Sequence, residues 1–140
     1  MTLQAIENFI EKQKVAFIGS IDEDGFPNIK AMFAPRKSEP GGIYYFTTNK
    51  SALRSQQYLT NPKSTIYFYE KKRFIYTGIM LIGTMEVLED RKSRESIWQT
   101  GDTLYYPNGI DDPDYCVLKF TAIKGRWYQK LKKGDFTWNQ

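Results

Sequence analysis

Histidine is missing from the 140 residues, and cysteine occurs once, as Cys116. Zinc and other metals held through nitrogen or sulfur need several such ligands converging, so that class of site is excluded and no metal is expected. The Ser-His-Asp and Cys-His nucleophile systems fall with it, because each needs an imidazole to move the proton. One thiol cannot build an internal disulfide framework, which fits a reducing, cytoplasmic setting. No apolar run approaches the roughly 20 residues of a membrane-spanning helix, so no membrane partner is expected. The polar start Met-Thr-Leu-Gln-Ala-Ile-Glu carries no basic region followed by an apolar block, and a secretory signal is not expected either. Internal repeats, low-complexity stretches and linkers are absent, and 140 residues suit one domain spanning 1–140. No Gly-x-Gly-x-x-Gly follows a strand pattern, which argues against a Rossmann dinucleotide site. What chemistry remains belongs to carboxylates, lysine, tyrosine or an organic cofactor.

Strong charge of one sign is lacking too. Twenty basic and 16 acidic residues leave +4, and Glu70-Lys71-Lys72-Arg73 and Glu89-Asp90-Arg91-Lys92 mix both signs. Such a balance allows an anionic ligand and argues only weakly for nucleic acid.

What is abundant is β-forming and aromatic residues, with 41% hydrophobic and 16% aromatic content. Thr2–Gln13 reads as a capped helix whose Leu3, Ile6, Phe9 and Ile10 form one apolar stripe. Val15–Ile21 and Asn28–Phe33 read as a hairpin about Asp24-Gly25, with Ile29, Ala31 and Phe33 alternating against Lys30 and Met32. Pro35 ends the second strand, and Arg36–Gly42 reads as a polar loop. Ile43–Tyr69, around which the chain is organised, reads as a strand (Ile43–Thr47), a hydroxyl-rich turn, a helix (Ser51–Leu59) stopped at Asn61-Pro62, and a strand (Ser64–Tyr69). Phe74–Leu88 is a long strand whose Gly78 and Gly83 mark bulges or close approaches. Asp90–Thr100 is a helix capped by Asp90, with Gly101 beyond its end. Tyr115–Lys124 and Trp127–Leu131 complete the strands, with a turn or bulge at Gly125-Arg126, and the tail to Trp138 reads as polar. About six strands with helices at intervals predict a mainly β protein, a small antiparallel barrel with appended helices.

The turn Thr47-Thr48-Asn49-Lys50-Ser51, with Arg54 on the following helical turn, offers hydroxyls, two cations and a helix N-terminus. Those groups form a phosphate cradle if they converge. They are equally explained if Thr48 or Ser51 caps the helix while Lys50 and Arg54 are solvated. The aromatic runs Tyr44-Tyr45-Phe46 and Tyr67-Phe68-Tyr69 suit base stacking or, with alternate residues turned inward, core and subunit packing. Packing covers most of them, and nucleic acid is not the expected partner. Trp98 and Tyr105-Tyr106 either cover a ligand or pack a helix onto the sheet. Cys116 reads as an inert core thiol. Asp111-Asp112-Asp114, broken by Pro113, reads as a solvated turn.

Several stretches in order carry a resemblance. They are Pro27-Asn28-Ile29-Lys30-Ala31-Met32, Phe46-Thr47-Thr48-Asn49-Lys50-Ser51 leading to Arg54, and Asn61-Pro62 through Tyr69. Gly83-Thr84-Met85-Glu86-Val87-Leu88 and Tyr106-Pro107 through Leu118 follow. Across about Phe9 to Tyr128 the chain resembles the pyridoxamine 5'-phosphate oxidase-like FMN-binding split barrels, in their small general-stress-protein branch. The resemblance implies a six-stranded antiparallel split β-barrel of Greek-key type. It also implies a homodimer with FMN held between subunits, and an oxidoreductase of unassigned small-molecule substrate. Lys30 matches the basic position reaching the FMN phosphate, and the backbone of Ala31, Met32 and Phe33 would run along the isoalloxazine. Thr47 and Thr48 match the threonine closing the third strand, while Lys50, Ser51 and Arg54 fall in the phosphate-binding turn. The vitamin B6 oxidases hold substrate and flavin with C-terminal tryptophan, arginine and histidine. Here Trp127 and Trp138 have no histidine or Arg-x-His motif beside them, and Gly78 stands where a flavin-contacting glutamine is expected. Oxidation of vitamin B6 itself is therefore not expected. A flavin carrier or sensor without turnover, and a nucleic-acid-binding small barrel, stand as alternatives.

Overall fold

The computed structural model describes residues 1–138. Helix α1 (Leu3–Glu11) begins where Thr2 Oγ1 accepts a hydrogen bond from the Ala5 amide at 3.1 Å, and it buries Ile6 and Ile10. Strands β1 (Val15–Ile21) and β2 (Pro27–Phe33) form the expected hairpin, with Gly25 at φ +85° and the Asp22 carboxylate accepting from the amides of Asp24 and Phe26. After β3 (Lys37–Glu39) come β4 (Ile43–Asn49), α2 (Leu53–Thr60) and β5 (Lys63–Lys72). The long strand β6 (Ile75–Leu88) leads to α3 (Arg91–Ile97), two 3-10 turns at Asp102–Leu104 and Gly109–Asp111, and the strands β7 (Tyr115–Gln129) and β8 (Lys132–Phe136).

All eight strands join one antiparallel sheet in the order β2-β1-β5-β6-β7-β4-β3, with β8 added to β7. The protein is mainly β, and the six strands of seven residues or more supply the expected frame. The two short strands are additions. Arg36–Gly42 is not a loop throughout, because Lys37, Ser38 and Glu39 pair with Tyr45, Tyr44 and Ile43. The tail is not merely polar, because Gly125, Trp127 and Gln129 face Phe136, Gly134 and Lys132. Gly125-Arg126 neither turns nor breaks β7; Gly125 instead makes room for the Phe136 ring, which any Cβ there would strike.

Alternation fills one face of the curled sheet with Ile18, Phe46, Ile66, Phe68, Leu81 and Phe120, closed off by Ile6 and Ile10 from α1. Gly83 sits at a register shift between β6 and β7, where a Cβ would run into the Thr121 carbonyl. The register passes over Ile123, so the bulge lies on β7, and Gly83 opposite it leaves room for the close approach. A second apolar cluster joins α3 to β7 through Ile97, Tyr115 and Val117, with Trp98 5.2 Å from the Tyr115 ring.

The sheet stays open between its outermost strands, and one short segment spans the opening. The Ala34 amide donates to Lys14 O at 3.0 Å, beside the β1–β2 edge. Two residues later the Arg36 amide donates to Tyr45 O at 2.8 Å, on the β3–β4 edge. Pro35, which has no amide to donate, lies between them. This seam is the split in the barrel.

Candidate functional site

A cleft of about 380 Å³ lies along the seam, within the size range of small-molecule sites. Val15 and residues 31–34 supply one wall, and Thr47, Thr48 and Asn49 of β4 supply the other. Arg54 reaches in from the first turn of α2, while Arg36, Tyr105 and Tyr106 close the remaining side. Neither Asp, Glu nor Lys lines it.

Arg54 is the polar centre of this wall. Its Nη2 donates to Thr48 Oγ1 at 2.6 Å, while its Nε is buried and has no protein partner. A guanidinium keeps its charge at any physiological pH and carries five donors, so unmet donors in a cleft favour a carboxylate or phosphate. Neither Thr48 nor Ser51 caps α2; the capping position before Leu53 is Ala52, which makes no side-chain cap bond. Asp114 instead organises the turn: its carboxylate accepts from the Ser51 amide, the Ser51 hydroxyl and Asn49 Nδ2, and its backbone carbonyl accepts from the Lys50 amide. These bonds hold the Asp114 carboxyl below the usual range, with Asn49 contributing most and burial opposing.

Of the residues singled out by sequence, Ala31, Met32, Phe33, Thr47, Thr48 and Arg54 come together in the cleft. Lys30 stands opposite Ile18 on the same side of β2 as Met32, exposed and outside the lining. Lys50 pairs with Glu89 at 2.9 Å, and Ser51 is held by Asp114, so both also lie outside. Sequence reasoning passed over Arg36 and divided the Tyr105-Tyr106 pair no further than two alternatives. Arg36 makes a two-point ion pair with Asp102, Nη1 to Oδ2 at 2.9 Å and Nη2 to Oδ1 at 2.8 Å, and Nη1 also donates to Ile97 O. The only prior signal was Arg36 placed directly after Pro35. Tyr106 packs inward against Tyr115 at 4.8 Å and Trp98 at 6.2 Å, whereas Tyr105 stands at the cleft mouth edge-on to Phe33. Burial pushes the Tyr106 hydroxyl up to about 12, with a hydrogen bond to Thr47 pulling the other way, so it remains a neutral phenol. Burial likewise raises Cys116 to about 11, and its Sγ lies 3.7 Å from Thr48 O, which leaves it a packed, unreactive thiol. Among the described residues no group of acids and cysteine could hold a metal ion.

A sequence profile described as pyridoxamine 5'-phosphate oxidase matches residues 2–128. The chain belongs to that family. A solved protein from Clostridium acetobutylicum, related to general stress protein 26 of B. subtilis and described as of the pyridoxinephosphate oxidase family, is 39% identical. It covers 96% of this chain and 93% of its own, with a TM-score of 0.83. General stress protein 26 of Bacillus anthracis (15% identity, 96% of each chain, TM-score 0.73) has the same fold. So has a heme binding protein from Mycobacterium smegmatis at 16% identity and TM-score 0.74, over 98% of this chain and 59% of that one. No curated protein matches. The family's split-barrel architecture is thus that of this chain. No helix among the described residues is long and apolar enough to cross a membrane.

Proposed function

We propose that the cleft binds FMN and that the protein is a flavin-dependent oxidoreductase acting as a homodimer. The observation that carries this is the Arg54 guanidinium, bonded to Thr48 and left with a buried Nε that no protein atom satisfies. An orphaned buried donor is costly, and a phosphate oxygen would satisfy it with a charge-assisted bond. The apolar wall from Ala31 to Ala34 suits a flat ring, and Arg54 with Thr48 suits the phosphate; the residues present fit the cofactor. Lys30, on β2 but exposed and outside the lining, is assigned to the phosphate by the family resemblance alone. When bound, FMN supplies two-electron redox chemistry, and the chain holds, orients and shields it. With no carboxylate or lysine in the lining and Tyr106 kept neutral, the site suits hydride transfer better than reactions needing a strong side-chain acid. The family resemblance supports this reading, and the missing histidine turns it away from vitamin B6.

The homodimer is supported by an exposed apolar face. Phe17 on β1 faces Ala31 on β2 and Tyr67 on β5, with Ile29 at 77% and Phe33 at 71% exposure. A second copy covering this face would lie beside the cleft, since Ala31 and Phe33 belong to both.

The deciding experiment is the visible spectrum after FMN addition and desalting. Retained flavin bands are expected, with affinity about 10–100-fold weaker in Lys30→Ala/Arg54→Ala, the range for losing charged hydrogen bonds. Retention of hemin in place of FMN would overturn the assignment. Loaded protein that oxidises neither NADH nor NADPH with a broad acceptor panel would leave a carrier or sensor.

A further inference from the structure

We infer that the paired tips of the β5–β6 and β7–β8 hairpins form a docking surface for anionic lipid bilayers, separate from the cleft. Lys72 pairs with Ile75 and Gln129 with Lys132, so each tip is a two-residue loop, Arg73-Phe74 and Lys130-Leu131. Thr77 of β6 faces Gln129 of β7, which brings both tips to one end of the sheet on adjacent strands. The two tips share one chemistry. Phe74 and Leu131 are 94% and 90% exposed, the highest values among the exposed large hydrophobic residues. Around them stand Lys71, Lys72, Arg73, Lys130, Lys132 and Lys133, all exposed. Lys124 and Arg126 continue the basic surface along β7, whereas Glu70 and Asp135 are its two carboxylates. These eight cations and two acids carry +6 in a chain of net +4, so the rest of the protein is net negative. A charge pattern that looked mixed along the sequence is segregated in space.

Backbone geometry gives independent support. Arg73 (φ +53°), Lys130 (φ +52°) and Leu131 (φ +63°) are the non-glycine residues with positive φ among those described. Asn-Gly or Gly-containing loops would make such turns with less strain. The chain instead places cation–apolar pairs there, which points to a use for the side chains rather than for the turn.

A lipid surface is the partner that uses both halves of this chemistry. Clustered lysine and arginine are drawn to anionic headgroups, while an aromatic or leucine side chain inserts at the headgroup–acyl boundary. A nucleic acid would use the cations but leaves aliphatic Leu131 without a stacking role. This is contact with a surface and requires no spanning helix, so the absence of an apolar run does not bear on it.

Vesicle co-sedimentation of the full chain tests this, with phosphatidylcholine vesicles against vesicles containing phosphatidylglycerol, at low and high salt. Salt-sensitive binding to the anionic vesicles alone is expected. Phe74→Ser/Leu131→Ser and, separately, Lys72→Gln/Lys133→Gln should each weaken it about tenfold, with unchanged circular dichroism and unchanged FMN retention. Wild-type protein that does not bind anionic vesicles at low salt would overturn the proposal. Tip variants that instead lose binding to a single-stranded oligonucleotide, or that dissociate the dimer in light scattering, would assign the tips to nucleic acid or to the subunit interface and also overturn it.

Discussion

Asp102 is buried and paired with Arg36 at one side of the cleft, and its carboxyl is held below the usual range, chiefly by the Arg36 hydrogen bonds, with burial opposing. The unfolded chain therefore binds that proton more tightly than the folded one. The pair's contribution is complete above the unfolded carboxylate value of about 3.9, and it drains away as pH falls through the lower folded value. Asp102→Asn leaves a partly buried guanidinium short of its counterion and should cost about 3 kcal/mol at neutral pH. Urea midpoints of both proteins across the acid range check this, since the gap should narrow below about pH 4. Asp22, Asp90 and Asp114 are also depressed, but they titrate in variant and wild type alike. A gap that stays constant into acid would mean that the Asp102 charge does not matter. Nothing in the sequence announced this pair, because its members lie 66 residues apart and meet only after the chain has crossed the seam. Arg54 and Thr48, six residues apart on one strand–turn–helix unit, could be read directly.

The connection from β4 to α2 shows the same division between local and distant information. Its place and its hydroxyls were legible, but β4 runs on to Asn49 instead of stopping at Thr47, and α2 starts at Leu53 instead of Ser51. Its anchor was not legible, because Asp114, arriving from beyond α3, binds Asn49 and Ser51 in the turn and leaves α2 without a side-chain cap. Asp114→Ala removes the carboxylate that accepts from Asn49 and Ser51. It should cost about 1–3 kcal/mol, the range for hydrogen bonds to a charged group, and should loosen the turn that positions Arg54. Chemical denaturation and FMN affinity should therefore decline together; a stability loss with unchanged affinity would show that the turn holds Arg54 without Asp114. Asp90, by contrast, caps α3 as its sequence position predicts, accepting from the Ser93 amide at 3.0 Å. Strands β3 and β8 escaped sequence reading because lysine, serine and glycine disguise them, and pairing to a neighbouring strand makes them strands. Gly78 and Gly83 were legible as close approaches, since only a missing side chain admits the Tyr67 hydroxyl and the Thr121 carbonyl.

At the scale of the molecule, period-two alternation in β2 separates Ile29, Ala31 and Phe33 from Lys30 and Met32, but cannot say which set meets the core. Ile29 and Phe33 turn outward and Met32 turns in, the arrangement needed if a second subunit supplies the missing cover. Ile29→Glu should yield a monomer by light scattering while the far-ultraviolet spectrum stays intact. A charge at the centre of a buried apolar contact costs more than such an interface can absorb. A variant that remains dimeric would place the interface elsewhere. The seam has a further consequence for timing. Ala34 and Arg36 hold opposite edges of the sheet through one amide each, and the cleft walls hang from those same edges. A ligand touching both walls would tie those edges together, and deuterium uptake at the two amides should then slow as the cleft fills.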